Sequence, residues 1–212
     1  MNEGLEEYVL EHIDDEPEAL ARIDHDTHVQ SYYWHMCSGH LQGRLIKMLT
    51  SMIKPRRVLE LGTFSGYSAL CLAEGLSSDD CLIDTIEIND EQEDFIREHL
   101  ALSPLAKRIR LHIGDARDIV PTLGERYDLV FIDANKRQYV EYYDLVMDYL
   151  NPGGYIIADN TLWAGKVVDP KAQREAQTRG IMAFNDHVKQ DTRVERVIIP
   201  LRDGLTLIRK LP

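Results

Sequence analysis

Acidic and amide side chains follow two apolar runs that are typical of buried β-strands. Asp133 comes directly after Tyr127–Ile132, and Asp159 and Asn160 come directly after Tyr155–Ala158. Neighbouring parallel strands lie about 4.8 Å apart, so their ends can bring these side chains within reach of one ion. Two carboxylates and an amide are hard oxygen ligands, which predicts a Mg²⁺ site, with Mn²⁺ or Ca²⁺ as alternatives. An ordinary turn after the strand is the competing interpretation.

Lys136 lies three residues beyond Asp133. A dication nearby would lower the pKa of the lysine, because like charges disfavour its protonated form. A lysine whose pKa is lowered can take a proton from a substrate near neutral pH. We therefore predict that Lys136 acts as a general base beside the metal site.

A loop with two glycines follows the first apolar run, Arg57–Leu61. Gly62 and Gly66 are spaced Gly-x-x-x-Gly after the acid Glu60, which differs from the Gly-x-Gly-x-x-Gly loop that binds pyrophosphate. A carboxylate suits a ligand that carries an ammonium or sulfonium group better than it suits a phosphate. The alternative is a strand-to-helix turn in which Ser65 acts only as a helix cap.

Two further acids follow the second and third strands. Glu87 ends Cys81–Glu87, where acids of related α/β folds accept the hydroxyls of a ribose. Asp115 follows the third strand, where it could bond the amino group of an adenine while Ala116 leaves room for the ring. Asp115 also precedes a predicted helix, so helix capping is the alternative role. The set predicts a ligand of the nucleoside type.

All of these residues follow strands of one predicted sheet. From residue 57 onward, short apolar strands alternate with helices, which predicts an open, mostly parallel α/β sheet with helices on both faces. Ligands of such sheets bind beyond the carboxyl ends of the strands. Val194–Ile199 and Leu205–Arg209 are separated by only five residues, which allows a hairpin but not a parallel crossover. We therefore expect one antiparallel strand near an edge.

The other predicted elements complete this pattern. Residues 4–52 are predicted to be helical, with Pro17 as a helix-start signal and Pro55 ending the region. The aromatic run Tyr32–Trp34 is interpreted as packing. The third strand is Arg108–Ile113, and the helices between strands are Tyr67–Leu76, Asp90–Leu100, Ala116–Leu123, Tyr139–Leu150 and a long helix at about 171–190.

The composition limits the class of protein. The chain has 212 residues, with 24 Lys and Arg against 36 Asp and Glu, so its formal net charge is −12. This length fits one domain, and this charge disfavours a general nucleic-acid binder. Three scattered cysteines without a Cys-x-x-Cys pair favour reduced thiols and a cytoplasmic location. No segment approaches the roughly 18 apolar residues of a membrane span, and the acidic first ten residues lack the pattern of a secretory signal.

The motifs from residue 36 to residue 211 resemble those of cation-dependent O-methyltransferases, the group that contains the catechol and caffeoyl-coenzyme A O-methyltransferases. The residues that carry the resemblance are Val58–Ser68, Phe131–Lys136, Asp159–Trp163 and Asp203–Thr206. The resemblance implies a Rossmann-like class I methyltransferase fold with a seven-stranded sheet. Residues 1–212 then form a single domain, in which a helical segment at 1–52 precedes the core at 57–212. It also implies a homodimer.

The resemblance implies S-adenosylmethionine as the methyl donor. Glu87 would then bind its ribose, and Asp115 with Ala116 would bind its adenine. The metal ligands would be Asp133, Asp159 and Asn160, and Lys136 would be the catalytic lysine. The plant enzymes carry an aspartate where this chain has Asn135, which leaves that contact with the donor open. Further donor-binding positions implied by the resemblance are Ser38, Glu60, Gly62, Thr63, Ser68 and Asp133.

The leading functional hypothesis is methyl transfer to one hydroxyl of a small aromatic vicinal diol. Trp163 and Met36 would form an apolar wall for the ring, with ordinary packing as the alternative. Some bacterial relatives instead modify a hydroxylated uridine in transfer RNA, and methylation of 5-hydroxyuridine is the alternative function. The net charge of −12 disfavours it. The glycine spacing disfavours a nicotinamide dehydrogenase, and a non-catalytic scaffold would not be expected to keep the ligand set and the lysine.

Overall fold

The computed structural model describes residues 3–30 and 36–212. Its first three helices are α1 (Glu3–Glu11), α2 (Glu18–Gln30) and α3 (Gly39–Ile53). The Pro17 carbonyl accepts the first hydrogen bonds of α2, from the Leu20 and Ala21 amides at 2.9 and 3.1 Å, so the predicted helix start is confirmed. The helical region is interrupted at residues 12–17. The prediction for residues 31–35, including Tyr32–Trp34, lies outside the described residues.

The described residues form one seven-stranded sheet in the order β3-β2-β1-β4-β5-β7-β6. The pairs among β1 to β5 are parallel, whereas β7 runs antiparallel to both β5 and β6. This confirms the prediction of one antiparallel strand near an edge. The strands are β1 (Arg57–Leu61), β2 (Leu82–Glu87), β3 (Ile109–Ile113), β4 (Tyr127–Ile132), β5 (Leu150–Ala158), β6 (Val194–Ile199) and β7 (Leu205–Lys210).

The predicted helices exist, but residues 90–92 and 172–174 form 3₁₀ turns ahead of the α-helices expected there. Leu150, which was expected to end a helix, begins β5, so this strand starts five residues before the predicted Tyr155. Pro121 has no amide hydrogen to continue an α-helix, so the expected helix over Ala116–Leu123 is divided into α6 and a 3₁₀ turn at Val120–Thr122. No helix of the described residues is long and apolar enough to cross a membrane. The helices after β1 are α4 (Tyr67–Gly75), α5 (Glu93–Leu100), α6 (Ala116–Ile119), α7 (Tyr139–Tyr149) and α8 (Ala176–Gln190).

The central strands are buried on both faces, because side chains alternate across the sheet and helices cover each side. On one face, Leu59 and Val130 belong to the apolar cluster of α7 and α8, which includes Tyr143 and Phe184. On the other face, Val58 and Phe131 belong to the cluster of α4 and α5. Each buried side chain of this size stabilises the fold by about 1.5–3 kcal/mol. This packing on both faces fixes the positions of the carboxyl ends of the strands.

Candidate active site

The backbone ladder of the sheet continues one residue beyond the ends of β4 and β5. The Asp133 amide donates to the Leu61 carbonyl and the Asp159 amide donates to the Ile132 carbonyl, both at 2.9 Å. These bonds fix the two acids in neighbouring positions at the same edge of the sheet. The arrangement predicted from the strand ends is therefore present in the backbone.

A cavity of about 980 Å³ lies at this edge of the sheet. It is large enough for a nucleotide-sized ligand together with a small second molecule. Most of the candidate site residues that were selected from the sequence line this cavity. These are Met36, Ser38, Gly62, Glu87, Ala116, Asp133, Lys136, Asp159, Asn160 and Trp163.

Glu60 and Thr63 belong to a buried hydrogen-bonded chain that does not line the cavity. The Thr85 hydroxyl donates to Glu60 Oε2 at 2.5 Å. The Thr63 hydroxyl lies 2.6 Å from that of Thr85 and must donate to it, since Thr85 has only one hydroxyl hydrogen. Glu60 Oε1 is buried without a hydrogen-bond partner. Burial raises the pKa of Glu60 to about 7. Ser68, also buried, likewise lies outside the cavity lining.

Glu87 is held rigidly at the cavity wall. Its Oε2 accepts the Phe64 amide and its Oε1 accepts the Asn89 amide, both at 2.9 Å. Each carboxylate oxygen has a further lone pair after these bonds. Glu87 can therefore accept two neighbouring hydroxyls of a ligand without changing its position.

Asp115 caps α6, which was the alternative role for this residue. It accepts the Arg117 amide at 2.9 Å. The Arg117 guanidinium beside it holds the pKa of Asp115 below its usual range. The neighbours of Asp115, Gly114 and Ala116, line the cavity, whereas Asp115 is not among the lining residues.

Lys136 lies buried between the two acids of the predicted metal site. Its Nζ donates to Asp133 Oδ1 at 2.5 Å and to the Tyr139 hydroxyl at 2.9 Å. The Tyr139 hydroxyl in turn donates to the Asp159 carbonyl oxygen at 3.0 Å. The lysine is thus fixed by a short chain that joins the ends of β4 and β5.

Asp159 is almost fully buried, and neutral donors hold both of its oxygens. Gln42 Nε2 donates to Oδ2 at 2.5 Å, and the Asn160 amide donates to Oδ1 at 2.6 Å. Burial, with the negative charge of Asp133 nearby, raises the pKa of Asp159 to about 7. Asn160 has a φ of 59°, a left-handed conformation that asparagine tolerates better than most residues.

Comparison with known proteins identifies the family of this chain. A sequence model described as O-methyltransferase matches residues 10–211. The chain belongs to the O-methyltransferase family. Caffeoyl-CoA O-methyltransferase 5 of Nicotiana tabacum is 30% identical over 224 residues, covering 99% of this chain and 92% of that protein. The catechol O-methyltransferase of Niastella koreensis is 31% identical over 175 residues, 78% of each chain. The O-methyltransferase TomG of Streptomyces achromogenes, solved in complex with SAM, has a TM-score of 0.91 at 29% identity and full coverage of both chains.

The O-methyltransferase holds the segment after β5 by main-chain bonds from the loop between β6 and β7. The Leu162 amide donates to the Asp203 carbonyl at 2.7 Å, and the Thr161 amide donates to the Gly204 carbonyl at 3.0 Å. Trp163, the next residue, lines the cavity together with Met36. The loop between β6 and β7 thus completes the site of the O-methyltransferase.

The sequence motifs single out neither Tyr139, whose hydroxyl joins Lys136 to the Asp159 carbonyl, nor Gln42. Gln42 lies on α3, outside those motifs, and is 2% exposed. It also lines the cavity of the O-methyltransferase. The signal in the sequence was a polar residue four positions before Ile46, a spacing that places both on one helix face. Without knowledge of which face of α3 is buried, that signal does not single out Gln42.

Gly62 is required by the close approach of two strand ends in the O-methyltransferase. Its φ is 97°, and a Cβ there would lie 2.1 Å from the Asp133 carbonyl oxygen. We expect Gly62→Ala to lower the free energy of unfolding by roughly 3 kcal/mol or more, since a backbone clash adds to the 1–3 kcal/mol of a left-handed non-glycine residue. Urea denaturation measures the change.

Gly153→Ala is the matched control for Gly62→Ala. Gly153 has a φ of 79°, but a Cβ there would meet nothing within 4 Å. This variant should lose only about 1–3 kcal/mol, the cost of the left-handed conformation. Equal losses in the two variants would show that the contact with Asp133 has no energetic importance.

Proposed function

We propose that this O-methyltransferase transfers a methyl group from S-adenosylmethionine to one hydroxyl of a small catechol-type diol, with a divalent cation and with Lys136 as general base. The observation that carries the proposal is the group of two carboxylates, one amide and one buried lysine at a single cavity. The names of the relatives, catechol and caffeoyl-CoA O-methyltransferases, support the substrate class.

The cavity wall fits the methyl donor. When bound, S-adenosylmethionine supplies an electrophilic methyl group on a sulfonium centre. Glu60 does not line the cavity, so its buried Oε1, which has no hydrogen-bond partner, would accept a hydrogen bond from the ammonium group of the methionine part after a local shift of the loop that Gly62 begins. Glu87, with both oxygens oriented by backbone amides, would accept the ribose hydroxyls. Ser38 and Gly62 line the cavity and would contact the methionine part.

Ala116 and Asp115 are assigned to the adenine end of the donor. Ala116 lines the cavity and leaves space for a flat ring. The Asp115 carboxylate is engaged by Arg117, so a contact with the adenine would use an oxygen already shared with that guanidinium. Thr63 and Ser68 would act from behind the wall, by fixing the loop that Gly62 begins.

The donor atoms at the ends of β4 and β5 fit a divalent cation. Asp133 and Asp159 carry two carboxylates that are close enough for the charge of one to raise the pKa of the other. Within residues 3–30 and 36–212, no three His, Cys, Asp or Glu side chains converge as a metal site, so the third protein ligand would be the Asn160 amide. A bound Mg²⁺ or Mn²⁺ would supply Lewis acidity toward the acceptor hydroxyl.

Lys136 is placed to move the proton. Its Nζ is buried, and it is fixed by Asp133 and Tyr139, so a neutral amine there would meet the acceptor hydroxyl in a defined orientation. The hydroxyl proton would pass to Nζ as the new carbon–oxygen bond forms and the methyl carbon–sulfur bond of the donor breaks, with S-adenosylhomocysteine as the leaving group. Trp163 and Met36, both at the cavity wall, would flank the aromatic ring. Much of the rate would come from such positioning.

A methyl-transfer screen tests the function. The purified enzyme is given S-adenosylmethionine with catechol, a caffeoyl ester or 5-hydroxyuridine-containing transfer RNA, each with Mg²⁺ and with chelator. We expect methylation of the diols in Mg²⁺ only, and none of phenol, which lacks the second hydroxyl. Methylation of the transfer RNA alone would replace the proposal by the alternative function. The homodimer implied by the resemblance and the cytoplasmic location favoured by the cysteines remain predictions.

The pH dependence of donor binding tests the role of Glu60. Burial raises the pKa of Glu60 to about 7, so the free enzyme takes up a proton at this residue as the pH falls below 7. The ammonium group of the ligand binds the ionised form. The affinity for S-adenosylhomocysteine in metal-free buffer should therefore be highest above pH 7, and fall about tenfold per pH unit well below it.

Titration calorimetry between pH 5.5 and 8.5 measures this affinity. Glu60→Gln is the control, because it keeps the shape of the side chain without an ionisable group. We expect this variant to bind more weakly at pH 8 and to lose the slope. Parallel pH profiles for the two proteins would remove Glu60 from the donor site.

A further inference from the structure

We propose that Gln42 is a positioning residue, which fixes the Asp159 carboxylate for a divalent cation through an uncharged hydrogen-bond donor. The inference rests on the metal site of the proposed function. It concerns a residue on α3 that lies 117 positions away from Asp159 in the chain.

The contact between the two residues is short and shielded from solvent. Gln42 is 2% exposed and Asp159 is 3% exposed, and the bond from Nε2 to Oδ2 is 2.5 Å long. With the Asn160 amide on Oδ1, both oxygens have a fixed donor. Each oxygen also has a lone pair left for another partner. The carboxylate is therefore held in one orientation and can still bind a cation.

The hydrogen-bond donors to Asp159 are uncharged, unlike the donor to Asp133. Asp133 accepts a hydrogen bond from Lys136 Nζ, and the charge of Lys136 acts on Asp159 only through space. The donors to Asp159 are a side-chain amide and a backbone amide. A buried carboxylate that no cation contacts directly is costly. A divalent cation placed at this edge would therefore meet an acid in a fixed orientation, with no charged hydrogen-bond donor on it to compete.

The packing of α3 fixes where Gln42 can reach. The next residue, Gly43, lies against α4, where a Cβ would approach Cys71 Sγ and the Tyr67 ring to 2.9 Å. A Cβ at Gly75, near the other end of this contact, would approach the Thr50 side chain to 2.5 Å and the Lys47 carbonyl oxygen to 2.6 Å. Close helix packing of this kind leaves little freedom of translation. The amide of Gln42 is thus held at a set distance from the end of β5.

Mn²⁺ binding, measured by calorimetry or electron paramagnetic resonance without acceptor, tests the inference apart from activity. Gln42→Met keeps the length of the side chain and removes the donor. We expect the dissociation constant for Mn²⁺ to rise about 10–100-fold, the usual effect of losing a partner of a metal ligand. Gln42→Lys keeps a donor but adds a charge beside Asp159, and should weaken Mn²⁺ binding at least as much.

Thr50→Val is the matched control on the same helix. Thr50 is fully buried and its hydroxyl donates only to the Ile46 carbonyl, at 2.9 Å, so the variant loses a buried hydrogen bond without touching Asp159. We expect its Mn²⁺ affinity to equal that of the wild type. Affinity for S-adenosylhomocysteine should stay within about twofold in all variants that fold, and Gln42→Lys decides the question if Gln42→Met does not fold.

Three results would overturn the inference. Wild-type Mn²⁺ affinity in Gln42→Met would show that the hydrogen bond does not matter, and wild-type affinity in Gln42→Lys would show that the neutrality of the amide does not matter. An equal loss in Thr50→Val would assign the effect to general destabilisation. If the wild-type enzyme itself binds no Mn²⁺, the proposed metal site fails first, and the inference fails with it.

Discussion

Asp159→Ala should reduce metal-dependent methyl transfer by about a thousandfold or more, because a cation that loses one of two carboxylate ligands no longer gives the several kcal/mol of charge stabilisation expected of it. Asp159 is oriented by Gln42 and by the Asn160 amide, and among residues 3–30 and 36–212 no third acid converges with it and Asp133. The measurement is the initial rate at saturating Mg²⁺, together with the affinity for S-adenosylhomocysteine, which should change little.

Asp186→Ala provides the comparison, since Asp186 is an exposed acid on α8. It carries the same change of charge and should keep the wild-type rate. Activity of Asp159→Ala at the wild-type level, or full activity of the wild type in chelator, would exclude a metal site at the end of β5.

Lys136→Ala should lower kcat by about 10²- to 10⁴-fold with a smaller change in KM, the range expected when a general base is removed. The pH–rate profile of the variant should differ from that of the wild type, because the group that takes the proton has been removed. Lys136→Arg should be impaired as well, because a guanidinium stays protonated. Steady-state rates across pH 6–10 give both parameters.

Lys189→Ala, at an exposed position on α8, is the control for the loss of a lysine. Lys136 also holds Asp133, so Mn²⁺ affinity is measured alongside the rate, to separate proton transfer from metal binding. A pH–rate profile that is unchanged in Lys136→Ala would exclude this lysine as the base.

The placement of Asp133 and Asp159 could be predicted because it depends on local patterns. Each acid follows an apolar run that fits a buried strand, and β4 and β5 are consecutive strands that pair in parallel. Residues one position beyond such strands lie side by side. Glu87 was predictable for the same reason. The strand pattern in the sequence was therefore sufficient to predict most of the residues of the cavity wall.

Gln42 could not be predicted because the buried face of α3 is set by its partner helix. Apolar residues at helical spacing predict a helix here, namely Leu41, Leu45, Met48, Leu49 and Met52. Met48 and Met52 are nevertheless 54% and 72% exposed. The buried residues of α3 are Gln42, Gly43, Ile46 and Thr50. Small and polar residues allow α3 to approach α4 closely. The spacing of apolar residues therefore does not indicate which face of α3 packs against α4.

β7 follows the other six strands of the sheet in the chain, so the part of the site beside β5 is completed late in synthesis. β7 pairs with β5 over Tyr155–Ala158, and the loop before it supplies the carbonyls of Asp203 and Gly204 to the segment that follows Asn160. While residues 203–210 are still inside the ribosome, the outer edge of β5 is unpaired and the wall beside Asp159 is open. In the proposed function, the strands whose ends would bind the methyl donor precede β7 in the chain, whereas the wall that would face the acceptor is complete only after β7 has been synthesised.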